Sequence, residues 1–282
     1  LFNNHSESMK RILIFCILAI IAIAGYSQKV RSEQTVLGMG TDYLLYPEIL
    51  KGKLKELKEQ NYWTIEKDGK SIAGKLLTWK ELDSIGSTKN FTAYFDNAGN
   101  LTRYDVLGDD DQPAISTVGT MKDGRCIRWE TSNKGKLTSY TTPEYDSKGF
   151  LIAGKVFSPA KDTLLSSFVV TNDMNGNYNR IEYYNFKGLK TGYWALTFNP
   201  EGRITNAGYY NRGDTLAMTM KNEYSGNGQM ATQDSYNTKT RQHSVWVMKN
   251  LSYDAKGNSL ETAYDIENGK YKVFCKRTYI YY

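Results

Sequence analysis

The segment Tyr193-Trp194-Ala195-Leu196-Thr197-Phe198-Asn199-Pro200-Glu201-Gly202 holds both signals that decide the fold. Trp194, Leu196 and Phe198 alternate with Tyr193, Ala195 and Thr197, the two-residue period of a strand with one buried face. Asn199 and Gly202 then stand at the first and fourth corners of a type I turn. There the short oxygen side chain accepts backbone N–H bonds and the glycine takes a positive φ.

The same turn recurs along the chain. Glycines 69, 99, 124, 149, 176, 202, 228 and 257 are spaced 25 to 30 residues apart, which is a repeat period. Three residues before the glycine stands Asp96, Asp146, Asp173, Asn199, Ser225 or Asp254, and Phe95, Tyr145, Phe198, Tyr224 or Tyr253 precedes that corner. Gly99, Gly149, Gly176, Gly202, Gly228 and Gly257 are therefore expected to be structural turn positions. Between turns the apolar residues alternate again, as in Leu216, Met218 and Met220. No single hairpin buries its own face, so neighbours must stack. The pattern predicts an all-β fold: an elongated, twisted antiparallel sheet of about eight stacked β-hairpin repeats over residues 62–282. Pro47, Ile49, Leu50, Leu54 and Leu57, with lysines between them, predict a short N-terminal capping helix from about Pro47 to Gln60, within a segment 28–61.

The start of the chain reads as a leader. Met9-Lys10-Arg11 is followed by an unbroken apolar run from Ile12 to Ala24. As a helix that run is roughly 20 Å long, short of a ~30 Å hydrocarbon core. Gly25 and Ser27 put small residues before a cut at Ser27-Gln28. Residues 1–27 are thus expected to be upstream residues and signal peptide, and the mature chain to be periplasmic or extracellular with no membrane span.

The whole chain carries a formal net charge of +6, with basic and acidic residues interleaved. That pattern argues against nucleic acid as a partner. Beyond the leader, His243 is the single histidine and Cys126 and Cys275 the two cysteines, so multi-histidine metal sites are excluded there and no disulfide scaffold is expected. An open array would hold the two thiols about eleven strands apart, and both are expected to stay reduced. Asp109-Asp110-Asp111 lacks the alternate spacing and glycine of a calcium loop. No motif nominates catalytic residues, a metal or a cofactor, and the chain reads as a non-enzyme. The functional hint is its 22 tyrosines. Adjacent pairs put one ring on each sheet face, and an exposed ring suits sugars or protein partners. Tyr183, Tyr184, Tyr209, Tyr210, Trp194 and Trp246 form the candidate binding surface.

Gly188, Gly192, Trp194, Phe198, Gly202, Tyr209 and Gly213 follow the order of a bacterial MORN-like repeat. Phe95-Asp96-Asn97-Ala98-Gly99-Asn100-Leu101 and Tyr253-Asp254-Ala255-Lys256-Gly257-Asn258 resemble the YD repeats of RHS-type surface proteins. The resemblance implies a hairpin-repeat architecture. The reading that follows is an exported, non-enzymatic binding or scaffolding protein of the cell envelope that recognises a polysaccharide or a protein partner. The alternatives are a glycan-acting hydrolase using strand carboxylates and, from the MORN-like resemblance, an antitoxin-like or immunity role. N-terminal sequencing of the exported protein is expected to begin at Gln28; an intact apolar segment retained in membranes would overturn the leader assignment.

Overall fold

The computed structural model describes residues 50–282 apart from Thr88, Asn175 and Asn227. The expected leader, the cut before Gln28 and the first part of the expected helix lie outside the described residues. The strands, in chain order, are β1 Leu54–Lys67, β2 Lys70–Leu76, β3 Phe91–Phe95, β4 Leu101–Leu107, β5 Pro113–Lys122, β6 Arg125–Asn133, β7 Lys136–Tyr145 and β8 Leu151–Ser158. They continue as β9 Thr163–Asn172, β10 Tyr178–Asn185, β11 Lys190–Phe198, β12 Ile204–Asn211, β13 Leu216–Tyr224, β14 Met230–Asn237, β15 Gln242–Tyr253, β16 Ser259–Ile266 and β17 Tyr271–Tyr281. One helix, α1 Trp79–Ser84, separates β2 from β3.

Consecutive strands pair antiparallel, except β2 with β3, and the run returns on itself. β17 pairs with β1 from Leu54↔Tyr281 to Trp63↔Val273. On the other edge of β1, β2 pairs over Tyr62–Lys67 and β3 over Glu56–Glu59. β2 and β3 share one place in the wall, so the strands form a closed antiparallel barrel of 16 positions.

This corrects two expectations. The sheet is a closed barrel and not an elongated open array. An open array would leave two rows of unpaired N–H and C=O groups at its ends, and closure pairs them with each other. The expected capping helix is also absent: residues 54–60 belong to β1, so the sheet begins before residue 62. Leu54 and Leu57 are three apart because a β-bulge between Leu54 and Glu56 turns both inward. Beyond the bulge Leu57, Glu59 and Asn61 alternate as a strand should. With no free edge, there is nothing for a helix to cap.

Seven of the eight repeated turns close one end of the barrel, and the turn at Gly69 lies at the other. The six candidate turn glycines have φ between +74° and +87°. In three of them the aspartate takes a pair of backbone bonds, from Ala98 and Asn100 to Asp96, from Lys148 and Phe150 to Asp146 and from Lys256 and Asn258 to Asp254, at 2.8–2.9 Å.

The two faces of the wall differ sharply. Trp129 is 1% exposed and Val273 0%. The large apolar side chains buried to this depth gather mainly on one face, the inner one of the closed wall. The inner face is packed in three clusters, around Ile181 and Trp194, around Phe91 and Trp129, and around Trp246 and Val273. Helix α1 supplies Leu82 to the third cluster, joined by the flanking Leu77 and Ile85. Thr78 and Glu81 form a capping box at its start. The Thr78 backbone N–H bonded to Glu81 holds that carboxyl down to about 2.

At the closing seam the inner face is polar. Arg277 on β17 donates to Glu59 on β1 at 2.8 Å, and both are buried. Cys126 and Cys275 are also buried and are not joined in a disulfide. Closure leaves five strand steps between them along the shorter arc. That is ~24 Å, still beyond the ~7 Å a disulfide requires.

Removing one partner of the seam pair strands a buried charge. Arg277→Met is expected to destabilise the barrel by about 3–5 kcal/mol in urea unfolding, and the Glu59→Leu/Arg277→Met double variant by clearly less. A silent single variant would mean that the seam is elsewhere.

Candidate functional site

The outer face carries charges and hydroxyls. Several charges pair two residues apart along one strand: Arg103 with Asp105, Arg128 with Glu130, Arg180 with Glu182 and Lys221 with Glu223, each at 2.9 Å. Two of these pairs begin aromatic ladders. The Arg128 guanidinium lies 3.7 Å from the centroid of the Tyr140 ring, and Tyr140 stacks on Phe157 at 5.1 Å. Likewise Arg180 lies 3.8 Å from Tyr193, which stacks on Tyr210 at 4.7 Å. These centroid spacings match the ~4.8 Å between strands, so the rings stand on edge across neighbouring strands. Arg128 and Arg180, Tyr140 and Tyr193, and Phe157 and Tyr210 are each 52 or 53 residues apart. Strands β6–β9 and β10–β13 are thus two copies of one four-strand design.

The copies differ where it matters. Ala195, Gly208, Thr219, Tyr236 and His243 stand in register across β11–β15. Beside them run Thr197, Asn206, Lys221 and Asp234. Together with Tyr210 these residues line a depression of about 730 Å³ in the outer wall. Its floor is low because Gly208 has no side chain, and its far wall is Tyr236, 39% exposed. His243 and Asp234 are hydrogen-bonded at 2.6 Å.

In the other copy the matching row is Thr142, Lys155, Ser167, Tyr184 and Lys190. Lys155 occupies the place of Gly208, and its ammonium reaches Glu144 at 3.3 Å. One scaffold therefore has a groove open at Gly208, and its twin has a lysine across the same place.

The expected surface aromatics divide between the faces. Trp194, Tyr183 and Tyr209 pack in the inner cluster around Ile181, and Trp246 in the one beside α1. Burial pushes the Tyr183 hydroxyl pKa far above its ordinary value. Tyr184 and Tyr210 face outward, and of the six only Tyr210 lines the groove. Tyr184 donates to Glu182 at 2.7 Å. Sequence reasoning missed Gly208, Lys221, Asp234 and Tyr236. The available signal was a 52-to-53-residue alignment of the chain with itself, which sets Lys155 against Gly208.

Asp109 and Asp111 tie their loop to the wall, Asp109 accepting from the Trp79 backbone at 2.7 Å and Asp111 from Gln60 at 3.0 Å. Among the described residues no three His, Cys, Asp or Glu side chains gather where a metal could sit.

No protein-family model matches the chain, and no curated protein is significantly similar to it in sequence. Among solved structures, a porin-like protein from Bacteroides uniformis superposes with a TM-score of 0.51 at 11% identity. The match covers 82% of this chain and 98% of that one. A porin-like protein from Bacteroides vulgatus gives a TM-score of 0.36 at 8% identity, over 81% of this chain and 99% of its own. The MORN-like and YD resemblance is corrected by this. The turn chemistry behind it belongs to antiparallel hairpins in general, and it fixes neither closure nor family. What the chain shares with the Bacteroides uniformis protein is its fold, a closed β-barrel.

Proposed function

We propose that this chain is an exported, non-enzymatic protein of the cell envelope that binds a polysaccharide in the outer-wall groove between β11 and β15. The observation that carries the reading is Gly208, which opens a row of five strands where the duplicate row carries Lys155. Four strand steps span on the order of 19 Å, room for a short stretch of sugar chain. Tyr236 offers an aromatic surface with a hydroxyl. Thr197, Asn206, Thr219, Lys221, Asp234 and His243 offer donors and acceptors along the groove.

A channel reading is disfavoured by the distribution of polarity. A bilayer-spanning barrel turns an apolar band to lipid, where each Arg or Lys at mid-depth costs about 2–4 kcal/mol. Here Arg128, Arg180, Lys221 and Lys276 lie on the outer face, and large apolar side chains are buried on the inner one. Such a wall suits water on its outside.

The test is a screen of envelope polysaccharides followed by titration calorimetry on the best ligand. Gly208→Lys copies the twin row. An added Cβ there comes 3.1 Å from the Tyr210 ring, a tight contact that a small movement of the ring relieves, so this variant is expected to melt slightly below wild type and to lose binding. Tyr236→Ala is expected to weaken binding roughly two- to tenfold. Full binding by Gly208→Lys, or no glycan retained by the wild type, would refute the reading.

A further inference from the structure

The turns alternate between the two ends of the barrel, and the end opposite the repeated Asp-x-x-Gly turns has its own chemistry. Eight hairpin turns lie on that rim, and seven have a lysine or arginine in the turn or directly beside it. The eighth, Gly108–Gln112, holds three aspartates, two of which are bonded back to the barrel through Trp79, Lys58 and Gln60. Other acids at this rim are engaged too: Asp162 accepts from Tyr140, Asp214 from Lys190 and Glu267 from Lys270.

Two of the basic turns also carry exposed apolar side chains. In Asn185-Phe186-Lys187-Gly188-Leu189-Lys190, Phe186 is 61% exposed and Leu189 44%. The β1–β2 hairpin continues four residues past Trp63, the last partner of β17, and pairs Ile65 with Ile72 two residues back from Lys67 and Lys70, which flank its turn. Both isoleucines are exposed. These two tips are eight positions apart in a ring of 16, so they sit on opposite sides of one rim. At the other rim the exposed Met174 stands beside Asp173, with no basic residue in its turn.

We propose that this rim docks end-on onto an anionic lipid surface, with Phe186 and Leu189 at one side and Ile65 and Ile72 at the other entering the headgroup layer. A plane is the partner that touches two tips across a barrel at once. Apolar residues flanked by lysines are what an interfacial site requires. The anionic headgroups complement the basic rim. This docking is independent of the glycan groove, which lies on the side wall.

The test uses the chain from Gln28 onward, because every strand among the described residues lies within residues 54–281 and the apolar run Ile12–Ala24 would bind lipid by itself. Cosedimentation is measured with phosphatidylcholine vesicles and with equimolar phosphatidylcholine and phosphatidylglycerol. Retention is expected only on the second, and raised salt is expected to release it. Lys67→Gln/Lys187→Gln removes one charge from each tip and is expected to weaken retention on the order of 30-fold. Phe186→Ser is expected to weaken it severalfold, with unchanged melting. Equal retention on neutral vesicles, no retention at low salt, or variants that bind like wild type would overturn the proposal. Capture of soluble polyphosphate without vesicle retention would do so as well.

Discussion

The pairing of β17 with β1 is the constraint on which the rest depends. It joins strands more than two hundred residues apart, and it turns a run of local hairpins into a wall with an inside and an outside. Each hairpin forms from its own turn. None of them has a buried face until the ring closes, because a side chain pointing to one side of an open sheet is still wet. Closure also sets Glu59 against Arg277, a pair that is favourable only when both charges are buried together. The entropy of closing so long a loop is offset at once by the last two edges satisfying each other.

Once the wall is closed, the two faces divide the labour. The inner face carries Trp129, Ile181, Trp194, Tyr264 and Val273, all of them buried. The interruption between β2 and β3 lets α1 reach inward and add Leu82 to that core. The outer face carries the i, i+2 ion pairs and the edge-on aromatic ladders. The ladders stiffen the wall by stacking from strand to strand, and they use up the ring faces in doing so. The ladder stops where Gly208, Thr219 and Tyr236 lie, and the outer wall opens into a groove there. Similarity of fold to a porin-like protein therefore does not bring a porin's polarity with it, since the same barrel can be built with either face turned to water.

Duplication accounts for how such a site arises without cost to the scaffold. β6–β9 and β10–β13 repeat the same Arg, Tyr, aromatic and Leu positions, with Leu164 and Leu216 as the last members. A substitution in one copy leaves the other to hold its share of the wall. Lys155 and Gly208 are alternatives at one register position. The difference between a covered row and an open groove is a single side chain.

Much of this was written in the sequence. The period-two alternation in Trp194, Leu196 and Phe198 determined that the chain is strand throughout the described repeats. The turns from Asp96 to Gly99 and from Asp254 to Gly257 determined where strands reverse, because only the local backbone conformation is at stake there. Adjacent rings such as Tyr183 and Tyr184 had to face opposite ways. What no local pattern carried was which way. The inner and outer faces exist only relative to a closed ring, so Trp194 and Trp246 became core and Tyr236 became surface after β17 met β1. The bulge at Leu54 hid a strand behind helical spacing for the same reason. Alternation is a property of neighbours along the chain, whereas closure, burial and the groove at Gly208 are properties of residues brought into register across it.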